Sequence, residues 1–276
     1  MSIVGAMSMQ DEIAGWLQRA KNNLNSVRNE KANGNFPEVA HNLQQAEEKT
    51  AKATLMCIHF STTTSKNPKL SNIQIILNSL FGIDIITPKE YTHNWRKKFL
   101  ENIEKIYSSP IFTTVLAAQQ QGSVKDIKDK IKKARDVKDI VDITLEDIDV
   151  VIYMCNELLN STIETSGKPI KLNSGLQQAD INVNAKLVDT ISNLLDISED
   201  ECRKSIVNIL TISMNIIVLA ILDIILAPYE DSRFYPDTKY EIKYDENLPI
   251  VKRAEEIVSI LERCNLITEN ALKIIR

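Results

Sequence analysis

Glycine and proline are scarce in this sequence, seven and eight among 276 residues, and the glycines never gather into a loop. That removes the phosphate-cradling glycine loop and the Rossmann fingerprint from consideration, and neither HExxH nor GxSxG occurs. Cysteine is thin too. Cys57, Cys155, Cys202 and Cys264 stand singly, with no CxxC pair and no histidine cluster of zinc-finger type, so they read as small apolar fillers in a reducing cytosol. No cofactor or metal is expected. A surplus of positive charge is also missing: the formal net charge is −4 and the isoelectric point is near 5.6. Such a chain does not coat nucleic acid by bulk charge, and any contact of that kind must rest on a local basic patch. The start MSIVGAMSMQ lacks the charged beginning and long apolar core of a secretory signal, which leads us to expect a cytoplasmic protein.

What the sequence has in quantity is helical periodicity. Ile, Leu, Lys, Asn, Glu and Asp recur at helical spacing with little strand-like alternation, which indicates an all-α protein. From Asp11 to Lys31, the residues Ile13, Trp16, Leu17, Ala20, Leu24 and Val27 form one apolar stripe, and Asn33-Gly34-Asn35 ends the helix. After Pro37 a second stripe runs through Val39, Leu43, Ala46, Ala53, Cys57 and Phe60, with Glu48 and Lys52 set as an i,i+4 pair on its wet side. The short turn between them predicts an antiparallel hairpin.

A third helix is predicted to begin at Thr87, with Pro88 in its first turn and Glu90 completing a Thr-x-x-Glu capping box. Its buried stripe is Tyr91, Trp95, Phe99, Ile103 and Ile106, and His93, Arg96 and Lys97 share the opposite face. Residues 108–198 read as an inserted helical region. It holds Ser123 to Val141 with alternating Lys and Asp, a helix started by Thr144-x-x-Asp147 through Val151, Cys155 and Leu158, and a further helix from about Asn184 to Leu195. A second capping box, Ser198 to Glu201, launches a long apolar helix that Pro228 stops. Ile206 to Leu226 approaches membrane-spanning length, but Asn208, Asn215 and Asp223 within it fit a buried central helix of a bundle better, and no membrane association is expected. A last amphipathic helix places Val251, Ala254, Val258, Leu261 and Cys264 inside, with Thr268 to Ile275 as a short added turn.

Three separated pieces together resemble the HEPN family of small helical nucleotide-binding domains. The first is the opening hairpin, from Trp16 to Leu24 and then His41-Asn-Leu-Gln-Gln-Ala-Glu-Glu-Lys-Thr-Ala-Lys-Ala53; the second is Thr92-His93-Asn94-Trp95; the third is Ser232-Arg233-Phe234-Tyr235-Pro236, ahead of a helix containing Ala254 to Val258. The resemblance covers residues 10–107 and 199–265, leaving 108–198 as the insertion and 266–276 as a C-terminal extension. It implies an up-and-down helical bundle, often a homodimer. It also implies either nucleotide or RNA binding beside a small nucleotidyltransferase, or metal-independent RNA cleavage by toxins of toxin–antitoxin pairs and antiviral effectors.

Cleaving members carry Arg followed by His after four to six intervening residues. This chain departs from that pattern: the positions so placed before His41, His59 and His93 hold no arginine, and Lys52 before His59 is a poor substitute for the bidentate grip of Arg on phosphate. We therefore expect a nucleotide- or RNA-binding protein acting with a partner such as a nucleotidyltransferase or an antitoxin. A ribonuclease and a purely structural interaction module stand as alternatives, and whether the chain is an enzyme stays open.

The candidate binding residues are His93, Asn94, Arg96, Lys97, Arg233 and Tyr235, with no catalytic residue assigned. In the first four, cations would supply charge and His93 and Asn94 directed hydrogen bonds; the alternative is a solubilising helix face. Arg233 and Tyr235 lie in an irregular loop suited to presenting ligand groups, or else cap and pack the preceding helix. Lys49 and Lys52 could extend a basic surface, but beside Glu47 and Glu48 they read more readily as ordinary ion partners. Asn208, Thr211 and Asn215 are expected to satisfy one another across a packed interface or dimer seam.

Overall fold

The computed structural model describes residues 8–64, 143–163 and 244–274, together with residues 193, 198, 212, 215–223, 225, 226 and 229. Among the described residues every regular element is helical, and the protein is all-α as its periodicity requires. The helices are α1 (Met9–Ala32), α2 (Phe36–Thr64), α3 (Leu145–Ile163), α4 (Pro249–Lys252) and α5 (Ala254–Ile274). Residues 215–223 are helical as well.

Each helix begins or ends where local chemistry dictates. Ser8 caps α1 by accepting a hydrogen bond from the Asp11 N–H at 3.2 Å, and Asp11 and Glu12 add negative charge to the first turn, where the helix dipole favours it. Gly34, at φ 72°, supplies the left-handed residue that reverses the chain into α2. At α3 the expected capping box is present in both halves. Thr144 Oγ1 accepts from the Asp147 N–H at 3.2 Å, and Asp147 Oδ2 accepts from the Thr144 N–H at 3.0 Å. Pro249 opens α4, a single turn that leads through Arg253 into α5.

Cross-helix pairs fix the directions. Thr50 meets Asn265 and Thr54 meets Thr268, so α2 and α5 run parallel. Lys21 pairs with Glu269 while Arg28 pairs with Glu262, so α1 runs against α5. Asp149 meets Arg253 and Asn156 meets Arg263, so α3 runs along α5. The result is a helical bundle in which α1 runs one way and α2, α3 and α5 the other, with α5 touching α1, α2 and α3.

Its core is one continuous apolar cluster. Ile13, Leu17, Leu24 and Val27 from α1 meet Val39, Leu43 and Cys57 from α2, Ile148, Cys155 and Leu158 from α3, and Ile257, Leu261 and Cys264 from α5. Each fully buried aliphatic side chain of this kind contributes about 1.5–3 kcal/mol. The described part of the long apolar segment, Ile212, 215–223, Ile225 and Leu226, is buried in the same cluster, as expected of a central bundle helix. Among the described residues no helix is long and apolar enough to cross a membrane. The helix Leu145–Ile163, which lies within the stretch read as inserted, shares this core.

One reading is corrected. Residues from Thr268 onward do not form a separate short turn; α5 continues unbroken to Ile274. The polar positions Asn265 and Thr268 within it are buried against α2.

Candidate functional site

The hairpin carries an unusual outer face. Trp16, Arg19 and Asn23 lie one turn apart along α1, and Lys49 and Lys52 one turn apart along α2, so the antiparallel pairing sets the two rows beside each other. Lys52 Nζ sits 4.0 Å from the centre of the Trp16 ring, and the Arg19 guanidinium carbon is 4.8 Å from it. Both are within cation–π range, where an exposed pair is worth about 0.5–1 kcal/mol. Arg19 is exposed, whereas Trp16, Asn23, Lys49 and Lys52 are half-buried.

Lys49 is held differently. Its Nζ donates to Asn23 Oδ1 at 2.8 Å, Asn23 Nδ2 donates to Asn42 Oδ1 at 2.8 Å, and Asn42 Nδ2 donates to the Glu38 carbonyl at 2.8 Å. A neutral relay thus orients the ammonium. Burial pushes the Lys49 ammonium below the ordinary lysine value, and the charge of Arg19 pushes the same way against the pull of Glu48.

These contacts correct the ion pairing expected of Lys49 and Lys52. Neither lysine pairs with Glu47 or Glu48: Glu47 is fully buried, and Glu48 accepts from Gln44 and Gln45 at 3.4 Å. The i,i+4 spacing of Glu48 and Lys52 loses to a partner on the neighbouring helix, because the indole offers Lys52 a broad apolar and π surface for its stem and head. Among the described residues Arg19, Lys49 and Lys52 form no ion pair, whereas Lys21, Arg28 and Arg253, which bridge helices, all do.

A second polar group lies inside the bundle. Thr50 Oγ1 donates to the Ala46 carbonyl at 2.7 Å and approaches Asn265 Oδ1 at 3.1 Å; Thr54 and Thr268 hydroxyls meet at 2.8 Å. Asn215 Nδ2 donates to the Cys264 carbonyl at 3.1 Å and to Thr268 Oγ1 at 3.0 Å. Asn215, Asn265, Thr50, Thr54 and Thr268 are all at most 1% exposed, so this is a polar layer of the core and not a ligand pocket. For Asn215 the expected packed interface is therefore one inside the chain. Asn208 and Thr211 lie outside the described residues.

The thiols are equally inert. Burial pushes the Cys57 thiol up to about 12, and it also raises Cys155 and Cys264. None of these three is a thiolate nucleophile at neutral pH. Among the described residues no group of three His, Cys, Asp or Glu side chains could hold a metal ion.

The residues singled out in the sequence, His93, Asn94, Arg96, Lys97, Arg233 and Tyr235, lie outside the described residues. Sequence reasoning put Trp16 in the core stripe and passed over Arg19. The signal was nonetheless present. Trp16 and Lys52 are equally distant in sequence from Gly34, as are Arg19 and Lys49, so a tight hairpin folding about that glycine must bring each pair together.

An all-α bundle with a cationic, aromatic face on its first hairpin defines the class as a helical-bundle domain. Residues 13–144 match the model of the HEPN domain, and the chain carries a HEPN domain over that stretch. The match includes the whole of the face just described. Comparison with curated proteins and with solved structures gives no match.

Proposed function

We propose that this is a cytoplasmic HEPN-type protein that binds a nucleotide or RNA and acts with a partner, such as a small nucleotidyltransferase or an antitoxin. The observation that carries the reading is the HEPN match over residues 13–144. It is supported by the concentration of Arg19, Lys49 and Lys52 on one face of a chain whose net charge is −4. His93, Asn94, Arg96 and Lys97, with Arg233 and Tyr235, are proposed to add directed hydrogen bonds and charge to phosphate groups. The division into a bundle of residues 10–107 and 199–265, an insertion of 108–198 and an extension of 266–276 is part of the same proposal.

Titration of the protein with RNA and with nucleotides at two salt concentrations tests the reading. The parent is expected to bind with an affinity that falls as salt rises, and joint replacement of His93, Arg96 and Lys97 by Ala is expected to weaken binding and flatten that dependence while folding is retained. Absence of binding to every nucleotide and RNA would refute the proposal. Metal-independent cleavage of the RNA in the same tubes would replace binding by catalysis, against the lack of an Arg-x(4–6)-His pair.

A further inference from the structure

We infer that Lys49 is a reactive amine and a site of covalent acylation by acyl phosphates, with the exposed Arg19 across the hairpin taking the phosphate end of the donor. The inference goes beyond the binding reading above and does not depend on it, because the donor is a small mixed anhydride that reacts and departs.

Three observations carry it. The first is what holds the amine. Lys49 Nζ donates to Asn23 Oδ1 at 2.8 Å, and Asn23 is itself fixed through Asn42 to the Glu38 carbonyl. An amide oxygen orients the head without the negative charge by which a carboxylate holds an ammonium proton in place. Lys21, by contrast, is tied to Glu269, and Lys52 lies over the Trp16 ring. The second is the setting. Lys49 is half-buried with Arg19 across the hairpin from it, and withdrawal from water and a neighbouring cation are the two ways in which a lysine becomes nucleophilic. Both push its pKa down, and Glu48 on the same helix pulls the other way without cancelling them. The third is a place for the leaving group. Among the described residues Arg19 and Lys52 form no ion pair, and resting on Trp16 leaves their charge unneutralised.

The reaction needs only this chain and the donor. Nζ, having released its ammonium proton to water, attacks the acyl carbon; an N–C bond forms, the bond from that carbon to the phosphate oxygen breaks, and phosphate leaves with the electron pair while the surplus N–H proton passes to water. Arg19 meets the anionic phosphate and the charge that grows on it as the bond breaks. The product is an uncharged amide. Acylation thus removes one of the three cations from this face, and with it the repulsion between Lys49 and Arg19.

The test incubates the full chain with acetyl phosphate at mildly alkaline pH and follows each lysine by peptide mass spectrometry. Lys49 should be acetylated several times faster than Lys252 and Lys273, which are exposed on α4 and α5. Its rate should level off with rising pH below the ordinary lysine value of 10.5. Arg19→Gln should slow Lys49 by about tenfold with acetyl phosphate, the worth of one charge-assisted hydrogen bond, and far less with p-nitrophenyl acetate, which carries no phosphate. Inorganic phosphate should compete with acetyl phosphate in the parent and lose that effect in the variant.

Acetylation of Lys49 no faster than that of Lys252 and Lys273 would overturn the inference, and this comparison uses the parent alone, so it stands whatever Arg19→Gln does to the fold. A fast Lys49 that treats both reagents alike and ignores Arg19→Gln would overturn the acyl phosphate as the donor. Binding of nucleotides or RNA is measured separately, so the two readings fail independently.

Discussion

Lys49 shows how one side chain can be ill-suited to stability and well suited to binding. Its ammonium is half-buried with only an amide oxygen for company, so the folded state holds that charge less comfortably than the unfolded chain does. The folded pKa lies below the ordinary 10.5, and stability should therefore rise as pH climbs through the depressed value toward 10.5. Lys49→Met should melt at the same temperature as the parent or higher at neutral pH and should lack that alkaline gain, as thermal melts across the range will show. Asn215 is the opposite case. Asn215→Ala removes a donor to the Thr268 hydroxyl and the Cys264 carbonyl, which keep each other as partners, and leaves a small void in a dry interior, so denaturant titration should give a loss of about 1–3 kcal/mol. Trp95, read as part of a buried stripe, should cost about 3–5 kcal/mol on truncation to Ala, whereas replacing His93, Arg96 and Lys97 should cost little.

At the scale of the element, most of what holds the helices in register is visible as pairs of side chains. Arg253 grips Asp149 with both Nε and Nη2 and ties the start of α5 to α3. The hydrogen bond from Arg253, helped by its charge, holds the Asp149 carboxyl below its usual 3.8. A depressed acid contributes stability that is complete above the unfolded pKa and disappears as pH falls through the folded one. Asp149→Asn should thus lower stability only slightly at neutral pH, the pair being partly exposed and screened by solvent, and the difference from the parent should close as acid protonates the Asp149 carboxyl, below the usual carboxylate range. Much of this level was legible in advance. The stripe from Ile13 to Val27, the turn at Gly34 and the Thr144–Asp147 box follow from spacing and capping alone, because those signals are local. What spacing could not supply was choice of partner. Lys52 has Glu48 four residues away and Trp16 across the hairpin, and only the register of the two helices decides between them. Likewise Asn265 and Thr268 are polar in sequence and buried in space, since Thr50 and Thr54 on α2 answer them. The residues proposed from the HEPN resemblance, such as His93 and Arg233, remain expectations drawn from the sequence.

For the whole molecule the arrangement of charge matters more than its sum. A net charge of −4 repels polyanions at long range, so RNA association should be slow to start at low salt compared with that of a basic protein, and affinity must come from the few cations placed together. The HEPN resemblance also leads us to expect a homodimer, and light scattering at micromolar concentration should give twice the mass of one chain; a monomer would count against this. One last consequence follows from α5 closing the bundle against α1. Lys21 and Glu269 are 248 residues apart in sequence, so during translation the first hairpin leaves the ribosome with the side that α5 will cover still bare. At a synthesis rate of roughly 5–20 residues per second, that interval lasts on the order of ten seconds or more. Until α5 arrives, that side of the nascent hairpin stays open to solvent, and its burial is timed by the synthesis of α5 and not by the hairpin's own helical propensity.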